Sequence, residues 1–139
     1  MAAPTLKLEI VTPEGKVFEG EVETVLLPGV EGDMGILPMH ETLVTALNAG
    51  ELQITQNGRT ESMAIGEGFA EVTAHRVSVL TDGAVNEKEI DEQAAETAVK
   101  RAEELLKSNT LEGEELEATQ AALARSLAQI HVKRRRHTT

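Results

Sequence analysis

The sequence predicts an α+β protein with two domains, an antiparallel β-sandwich over residues 1–86 and an antiparallel two-helix hairpin over residues 87–139. Two observations support this prediction. Up to about residue 85, apolar residues alternate with polar ones, which is typical of strands with one buried face. Beyond that point they recur every three or four residues, as in amphipathic helices. A change of period at one place favours a domain boundary there.

The first strands are predicted from alternation and turn residues. Residues 6–10 carry leucine and isoleucine at the even positions, with lysine and glutamate between them. Residues 13–16, Pro-Glu-Gly-Lys, favour a tight turn. Alternation resumes at residue 21 and becomes fully apolar over residues 25–27, which predicts a further strand.

Glycines and prolines interrupt the apolar residues of the segment 25–50. Glycine reaches backbone angles that other residues adopt only with strain, and proline fixes φ and lacks an N–H donor. We therefore expect an ordered, sharply bent connection between strands. The residues expected to anchor it to a core are Ile36, Leu37, Leu43, Val44 and Leu47.

Two hairpins are predicted in the second half of the sandwich. Asn57-Gly58 lies between alternating segments and suits the positive φ angles of a type I′ turn. Gly66-Glu67-Gly68 is expected to form a turn or bulge before the next strand. A second hairpin is expected to turn near Ala74 and His75. Short strands at this spacing favour a small β-sandwich.

Two helices follow, separated by a break at residues 108–110 and by Gly113. The stripe predicted for the first helix is Ile90, Ala94, Ala98, Ala102 and Leu105, with Ala95, Val99 and Leu106 beside it. The stripe predicted for the second is Leu116, Leu123, Leu127 and Ile130. An alanine contributes little when it is buried, since one methyl group is worth only about 0.8 kcal/mol. The sequence therefore leaves open whether the hairpin can leave the sandwich or is permanently docked.

Composition excludes several classes of function. Aromatic residues make up 1% of the chain and cysteine is absent, so base-stacking surfaces, disulfides and thiolate sites are not expected. Residues 1–86 hold 13 Asp/Glu against four Lys/Arg, a net charge of −9, which argues against nucleic acid as a partner. The first residues do not resemble a secretory signal, and no apolar run is long enough to span a membrane.

No catalytic constellation is recognisable in the sequence. The four histidines, His40, His75, His131 and His137, lack metal-binding spacing, and no phosphate-binding glycine motif occurs. His40, in a loop rich in glycine and proline, is expected to hydrogen-bond the loop backbone or face a partner. The sequence therefore predicts a chain without enzymatic activity of its own, metal or cofactor.

The run of Gly32, Gly35, Ile36, Leu37, Pro38 and His40, followed by Leu43, Thr45, Leu47 and Gly50, resembles the signature of the epsilon subunit of F-type rotary ATP synthases. The strand Gly68-Phe69-Ala70-Glu71-Val72 and Ile90-Asp91 at the start of the hairpin extend the similarity over nearly the whole chain. Met39, Glu41 and Thr42 depart from the wording common in that signature.

The resemblance implies a central-stalk subunit of the proton-translocating ATP synthase, peripheral on the cytoplasmic face of a bacterial plasma membrane. Its sandwich would bind the gamma subunit and the ring of c subunits. Its hairpin would lie folded, or would extend into the α/β catalytic head and inhibit ATP hydrolysis.

The resemblance also implies residue roles. The contact with the c ring and gamma would involve Glu31, Gly32, Asp33, Met34 and His40, although Glu31 and Asp33 would equally suit an ordinary solvated turn. The inhibitory contact with the beta subunits would involve Arg125, Lys133, Arg134, Arg135 and Arg136. A solvated helix end, or a tail on anionic lipid or nucleic acid, is the alternative for that basic run.

An ATP-sensing hairpin is the alternative function. Some bacterial members of the family bind ATP through a motif Ile/Leu-Asp-x-x-Arg-Ala and further arginines. The matching residues here are Ile90, Asp91, Ala95, Arg101 and Arg125. Ala94 stands where the motif has its arginine, and Gln129 where a further one would help, so a bidentate phosphate partner is missing. This predicts weak ATP binding or none.

Overall fold

The computed structural model describes residues 4–136, and the side chain of Arg136 lies outside the described part. Within these residues the chain forms ten strands and two α-helices. The strands are β1 (Leu6–Thr12), β2 (Gly15–Val22), β3 (Thr24–Gly29), β4 (Gly32–Ile36), β5 (Leu43–Leu47), β6 (Gly50–Gln56), β7 (Arg59–Ile65), β8 (Gly68–Val72), β9 (Arg76–Thr81) and β10 (Ala84–Asn86). The helices are α1 (Glu92–Lys107) and α2 (Gly113–Arg136), preceded by a 3₁₀ turn, Glu87–Glu89.

The strands form one hydrogen-bonded path in the order β10-β7-β6-β3-β5-β8-β9-β1-β2, with β4 paired to β3. Side chains from both ends of this path meet in a single core, so the sheet folds over on itself as a β-sandwich. The predicted antiparallel β-sandwich is confirmed, with one parallel pair that was not foreseen: β1 runs parallel to β9, with Leu8 opposite Val77. Their long separation in sequence supplies the crossover that a parallel pair needs.

The core is aliphatic, as the composition predicts. It consists of fully or nearly fully buried side chains from most strands, against which Phe18 packs from one side. In β1, Leu6, Leu8 and Ile10 are each at most 1% exposed. The alternation of residues 6–10 therefore corresponds to one buried and one outward face, and that prediction is confirmed.

The segment 25–50 is more regular than expected, because it contains β4 and β5. Ile36 and Leu47 are buried and Leu43 packs against the core, as predicted. The prediction is wrong for Leu37, which is 60% exposed, and for Val44, which is 69% exposed. Leu37 follows the end of β4, and Val44 lies one position from Leu43 in β5, where the two-residue period turns it outward.

The helical hairpin has the predicted break and direction. Ser108 caps the end of α1, and Asn109 next to it has a left-handed φ of 57°. Arg134, near the end of α2, bonds Glu92 and Glu96 in the first turns of α1, so the helices are antiparallel.

The buried stripe of α1 differs from the predicted one. Ala94, Ala98 and Leu105 of the predicted stripe are exposed, whereas Ile90 and Ala102 of that stripe are buried, and so is Ala95 beside it. Successive helical residues are about 100° apart, so a shift of one position turns a different face inward. Alanines occupy both the buried and the exposed face of α1, so the apolar pattern alone does not show which face is buried.

Candidate interaction surfaces

The tip of the β3–β4 hairpin carries four of the five residues expected to contact the c ring and gamma. Glu31 and Asp33 are exposed, and Met34 is half-buried against the core. Gly32 adopts a φ of 128°, a conformation that favours glycine. A Cβ added to Gly29 would lie 2.8 Å from the carbonyl oxygen of Gly32, so the tight tip requires glycine there too.

His40 does not lie at this tip. It belongs to the loop between β4 and β5, at the opposite end of β4, which spans about 13 Å at 3.3 Å per residue. The N–H of Met39 donates to the carbonyl of Ala74 over 2.7 Å, so this loop lies beside the β8–β9 turn. Nδ1 of His40 is 2.8 Å from the carbonyl oxygen of Glu41, which confirms the predicted bond to the loop backbone.

Three large apolar side chains on neighbouring strands point outward from the sandwich. Phe69 of β8 is 58% exposed, Leu80 of β9 is 52% exposed, and the two are paired in register. Ala46 of β5 lies opposite Phe69, and Val44 lies two residues away on the same face. We call Val44, Phe69 and Leu80 the apolar face. This face is not among the predicted surfaces, although Ala70 and Val72 as inward residues imply an outward Phe69.

Helix α2 packs against β6 and β7 through one of its faces. Ala128 and Val132 are buried there beside Ala64 and Ile90. Two ion pairs lie on either side of this small apolar contact. Nη1 of Arg125 is 2.9 Å from Oδ2 of Asp82, and Nη1 of Arg135 is 2.9 Å from Oε1 of Glu51. We call these the docking ion pairs.

The remaining basic residues near the end of α2 also contact the chain itself. Nζ of Lys133 lies 3.4 Å from the carbonyl oxygen of Glu87. Nε of Arg134 donates to Glu92 over 2.9 Å, and its Nη2 donates to Glu96. These hydrogen bonds, that to Glu92 first, raise the pKa of the Arg134 guanidinium. The prediction for Arg136 falls on a side chain outside the described residues.

The structure does not gather the residues expected at an ATP site. Ile90 is buried against Val132, and the Asp91 side chain caps α1 by accepting from the N–H of Ala94 over 3.0 Å. Ala95 is buried. Arg101 lines a groove of about 440 Å³ between α1 and α2, whereas Arg125 lines a different cleft, beside Asp82.

Within residues 4–136, no helix combines the length and apolar character that crossing a membrane requires. The same residues contain no group of three or more histidine or acidic side chains placed to hold a metal ion.

The fold and these contacts define a two-domain α+β protein, in which ion pairs and a small apolar contact hold a helical hairpin against a β-sandwich. Residues 5–87 match the family described as "ATP synthase, Delta/Epsilon chain, beta-sandwich domain". Residues 88–134 match its "long alpha-helix domain". The chain therefore belongs to the delta/epsilon chain family of ATP synthase.

Relatives agree with this assignment, and a solved structure has the same fold. The chain is 44% identical over 134 residues to the ATP synthase epsilon chain of Dehalococcoides mccartyi strain BAV1, covering 95% of this chain and 96% of the relative. It is 47% identical over 102 residues to that of Helicobacter pylori strain G27, covering 73% and 81%. A chain of the Euglena gracilis mitochondrial ATP synthase has a TM-score of 0.71 at 24% identity, covering 100% of this chain and 85% of that one.

Proposed function

We propose that this chain is a non-catalytic rotor subunit of a bacterial proton-translocating ATP synthase, on the cytoplasmic face of the plasma membrane. It would couple rotation of the c ring to the catalytic head and restrain ATP hydrolysis. The observation that carries this proposal is the family match through both domains, over residues 5–134. The Euglena chain of similar fold comes from an assembly of OSCP, F1 and the c ring, which supports a role in an assembly of this kind.

The tip of the β3–β4 hairpin suits a polar partner. Glu31 and Asp33 are exposed on a tight tip that requires glycine, so two carboxylates are presented at the end of a short hairpin. Basic groups on the polar loops of a c ring would complement them. We therefore propose the tip, without His40, as the contact with the ring.

The apolar face suits a packed interface, and we assign it to gamma. Exposed apolar groups that cluster on one sheet surface are typical of protein–protein contacts. The face lies on β5, β8 and β9, whereas α2 packs on β6 and β7, so gamma and the docked hairpin would not compete for the same strands. The His40 loop leads directly into β5 and would lie at the border of this contact.

The hairpin is proposed to inhibit hydrolysis only after it leaves the sandwich. Arg125 and Arg135, which would face the beta subunits, are paired with Asp82 and Glu51 of the sandwich in the docked arrangement. Lys133 and Arg134 contact residues of the hairpin unit instead. Docking and inhibition would therefore exclude each other. We propose residues 1–86 as the binding unit and residues 87–139 as the regulatory unit.

The test compares ATP synthase assembled with the full chain and with residues 1–86. The truncated chain should still assemble with gamma, and ATP hydrolysis should rise relative to the full-length complex. Phe69→Lys should weaken assembly, whereas Thr60→Lys, an equal charge change at an exposed site on β7, should not. Unchanged hydrolysis after truncation would contradict the inhibitory role, and normal assembly of Phe69→Lys would contradict the assignment of gamma to the apolar face.

The ATP-sensing alternative stays a prediction. No contact of the described residues favours it, because Arg101 and Arg125 line separate clefts and Asp91 caps α1.

A further inference from the structure

The face of α2 that meets the sandwich has a regular composition. Arg125, Ala128, Val132 and Arg135 follow one another at spacings of three, four and three residues, which places them on one side of the helix. The two buried apolar residues lie in the middle and the two arginines at the ends. The arginines are ten positions apart, or about 15 Å along the axis, so their ion pairs hold the helix at two separate points.

The apolar part of this contact is small. Ala128 is 6% exposed and Val132 is fully buried, and they pack mainly on Ala64 and Ile90. An alanine and a valine bury only a few methyl groups, so apolar burial alone gives docking little free energy and little preference for one position along the sheet. We therefore expect the docking ion pairs to fix the position of α2 along the sheet.

The Asp82 pair is fitted into the sandwich surface. A Cβ added to Gly66 would lie 1.6 Å from Oδ1 of Asp82 and 2.9 Å from Cγ of Arg125. One added to Gly83 would lie 3.0 Å from Cδ of Arg125. The stem of Arg125 therefore lies across two glycines, and a larger residue at either would narrow its path.

The same pair is also poised for release. Oδ2 of Asp82 accepts from Arg125, whereas Oδ1 is buried with no hydrogen-bond partner among the described residues. A buried acceptor without a hydrogen-bond partner destabilises the docked state. Water would supply the missing hydrogen bond after undocking. Both side chains of the pair remain about one-third exposed, so the attraction is weakened by solvent and salt.

We propose that Asp82–Arg125, which lies against Gly66 and Gly83, and Glu51–Arg135 form a two-point ionic latch that sets the fraction of molecules with the hairpin docked. Because the latch is weak, an acidic partner that competes for the two arginines would lower the docked fraction. The latch is a property of the chain alone. Only its consequence for hydrolysis rests on the proposed function.

The test measures docking in the full-length chain without its partners. The chain has no cysteine, so Arg59→Cys on β7 and Glu114→Cys on α2 provide a specific pair of fluorophore sites. Energy transfer between the dyes reports the docked fraction. Asp82→Asn and Arg125→Gln should each lower the docked-to-undocked ratio about 1.5- to 5-fold, the range for partly exposed ion pairs. Their double variant should lose less than the sum, because both remove one contact.

A variant that changes no charge tests whether docking depends on the exact placement of the Asp82 carboxylate or only on the overall charge of the two surfaces. Gly66→Ala keeps every charge but forces the Asp82 carboxylate aside, and should undock the hairpin as Asp82→Asn does. Gly35→Ala is the matched control, because nothing lies within 4 Å of its added Cβ. Raising salt should undock the parent chain more than Asp82→Asn.

The proposal of a latch is contradicted if Asp82→Asn, Arg125→Gln and Gly66→Ala all have the same docked fraction as the parent. Arg125→Gln lies outside the sandwich, so it stays informative if a sandwich variant fails to fold. In assembled ATP synthase, Asp82→Asn and Gly66→Ala, which leave the arginines of α2 unchanged, should hydrolyse ATP more slowly than the parent if the undocked hairpin inhibits. Undocking in the isolated chain without that change would support the latch and contradict the inhibitory role.

Discussion

At the scale of single residues, two leucines of segment 25–50 differ sharply in burial. Leu27 is fully buried in β3, whereas Leu37, after the end of β4, is 60% exposed. The two residues lie ten positions apart in the same segment, and their equal hydrophobicity does not distinguish them. What separates them is position, since Leu27 is held in a paired strand and Leu37 follows the end of one.

Replacing these two leucines should therefore have very different effects. Leu27→Ala leaves a cavity in the main core and should lower the free energy of unfolding by about 2–5 kcal/mol. Leu37→Ala removes a side chain that is mostly in water and should change it by less than about 0.5 kcal/mol. Urea denaturation of both variants checks this, and equal losses would contradict the burial that separates them.

Gly66 and Asp82 show what sequence alone does not reveal about single residues. Gly66-Glu67-Gly68 is recognisable as a turn, but nothing in it indicates that a helix from another domain lies above the first glycine. Asp82 is one of 24 acidic residues, and its partner is 43 positions away. Such a pair depends on tertiary packing, which the local pattern does not encode.

At the scale of elements, α1 begins with a defined cap. Asp91 has an extended backbone, and its carboxylate accepts from the N–H of Ala94 over 3.0 Å. A negative group at this end also meets the positive end of the helix dipole. The family resemblance implies a ligand-site role for Asp91, whereas its position before an amphipathic helix already suits a cap.

Removing the cap should loosen the start of α1. Asp91→Ala should weaken the first turn by about 0.5–2 kcal/mol, because one N–H loses its acceptor at the helix end. Hydrogen exchange of the amides in residues 92–95 measures this as faster exchange. Asp91→Asn keeps a capping oxygen and should stay close to the parent. Unchanged exchange in Asp91→Ala would show that the cap does not stabilise α1.

Elements with a strict period were predictable and elements with mixed signals were not. The alternation of β1 and the Asn57-Gly58 hairpin are confirmed, because each has one apolar face or one specific turn dipeptide. β4 contains two glycines, which hid it within a presumed connection. The docking face of α2 was not predictable from apolar periodicity, because two of its four residues are arginines.

At the scale of the whole molecule, the two domains differ in how they are stabilised. Every buried residue of the main core lies between Leu6 and Val79, and no helix residue contributes to it. The hairpin shares only a small cluster with the sandwich, around Ala64 and Val132. Residues 1–86 carry a net charge of −9, with 13 acidic against four basic residues, so two arginines from α2 meet an acidic surface.

This division predicts different behaviour for the two separated parts. Residues 1–86 keep the whole main core and should unfold in one sharp thermal transition. Residues 87–139 bury mainly alanines, so their helices should keep partial helicity and melt gradually, since isolated helices gain little from propensity alone. Far-UV circular dichroism of both fragments measures this. A sharp transition of residues 87–139 alone would show that the helices stabilise each other without the sandwich, and undocking would then release a rigid hairpin.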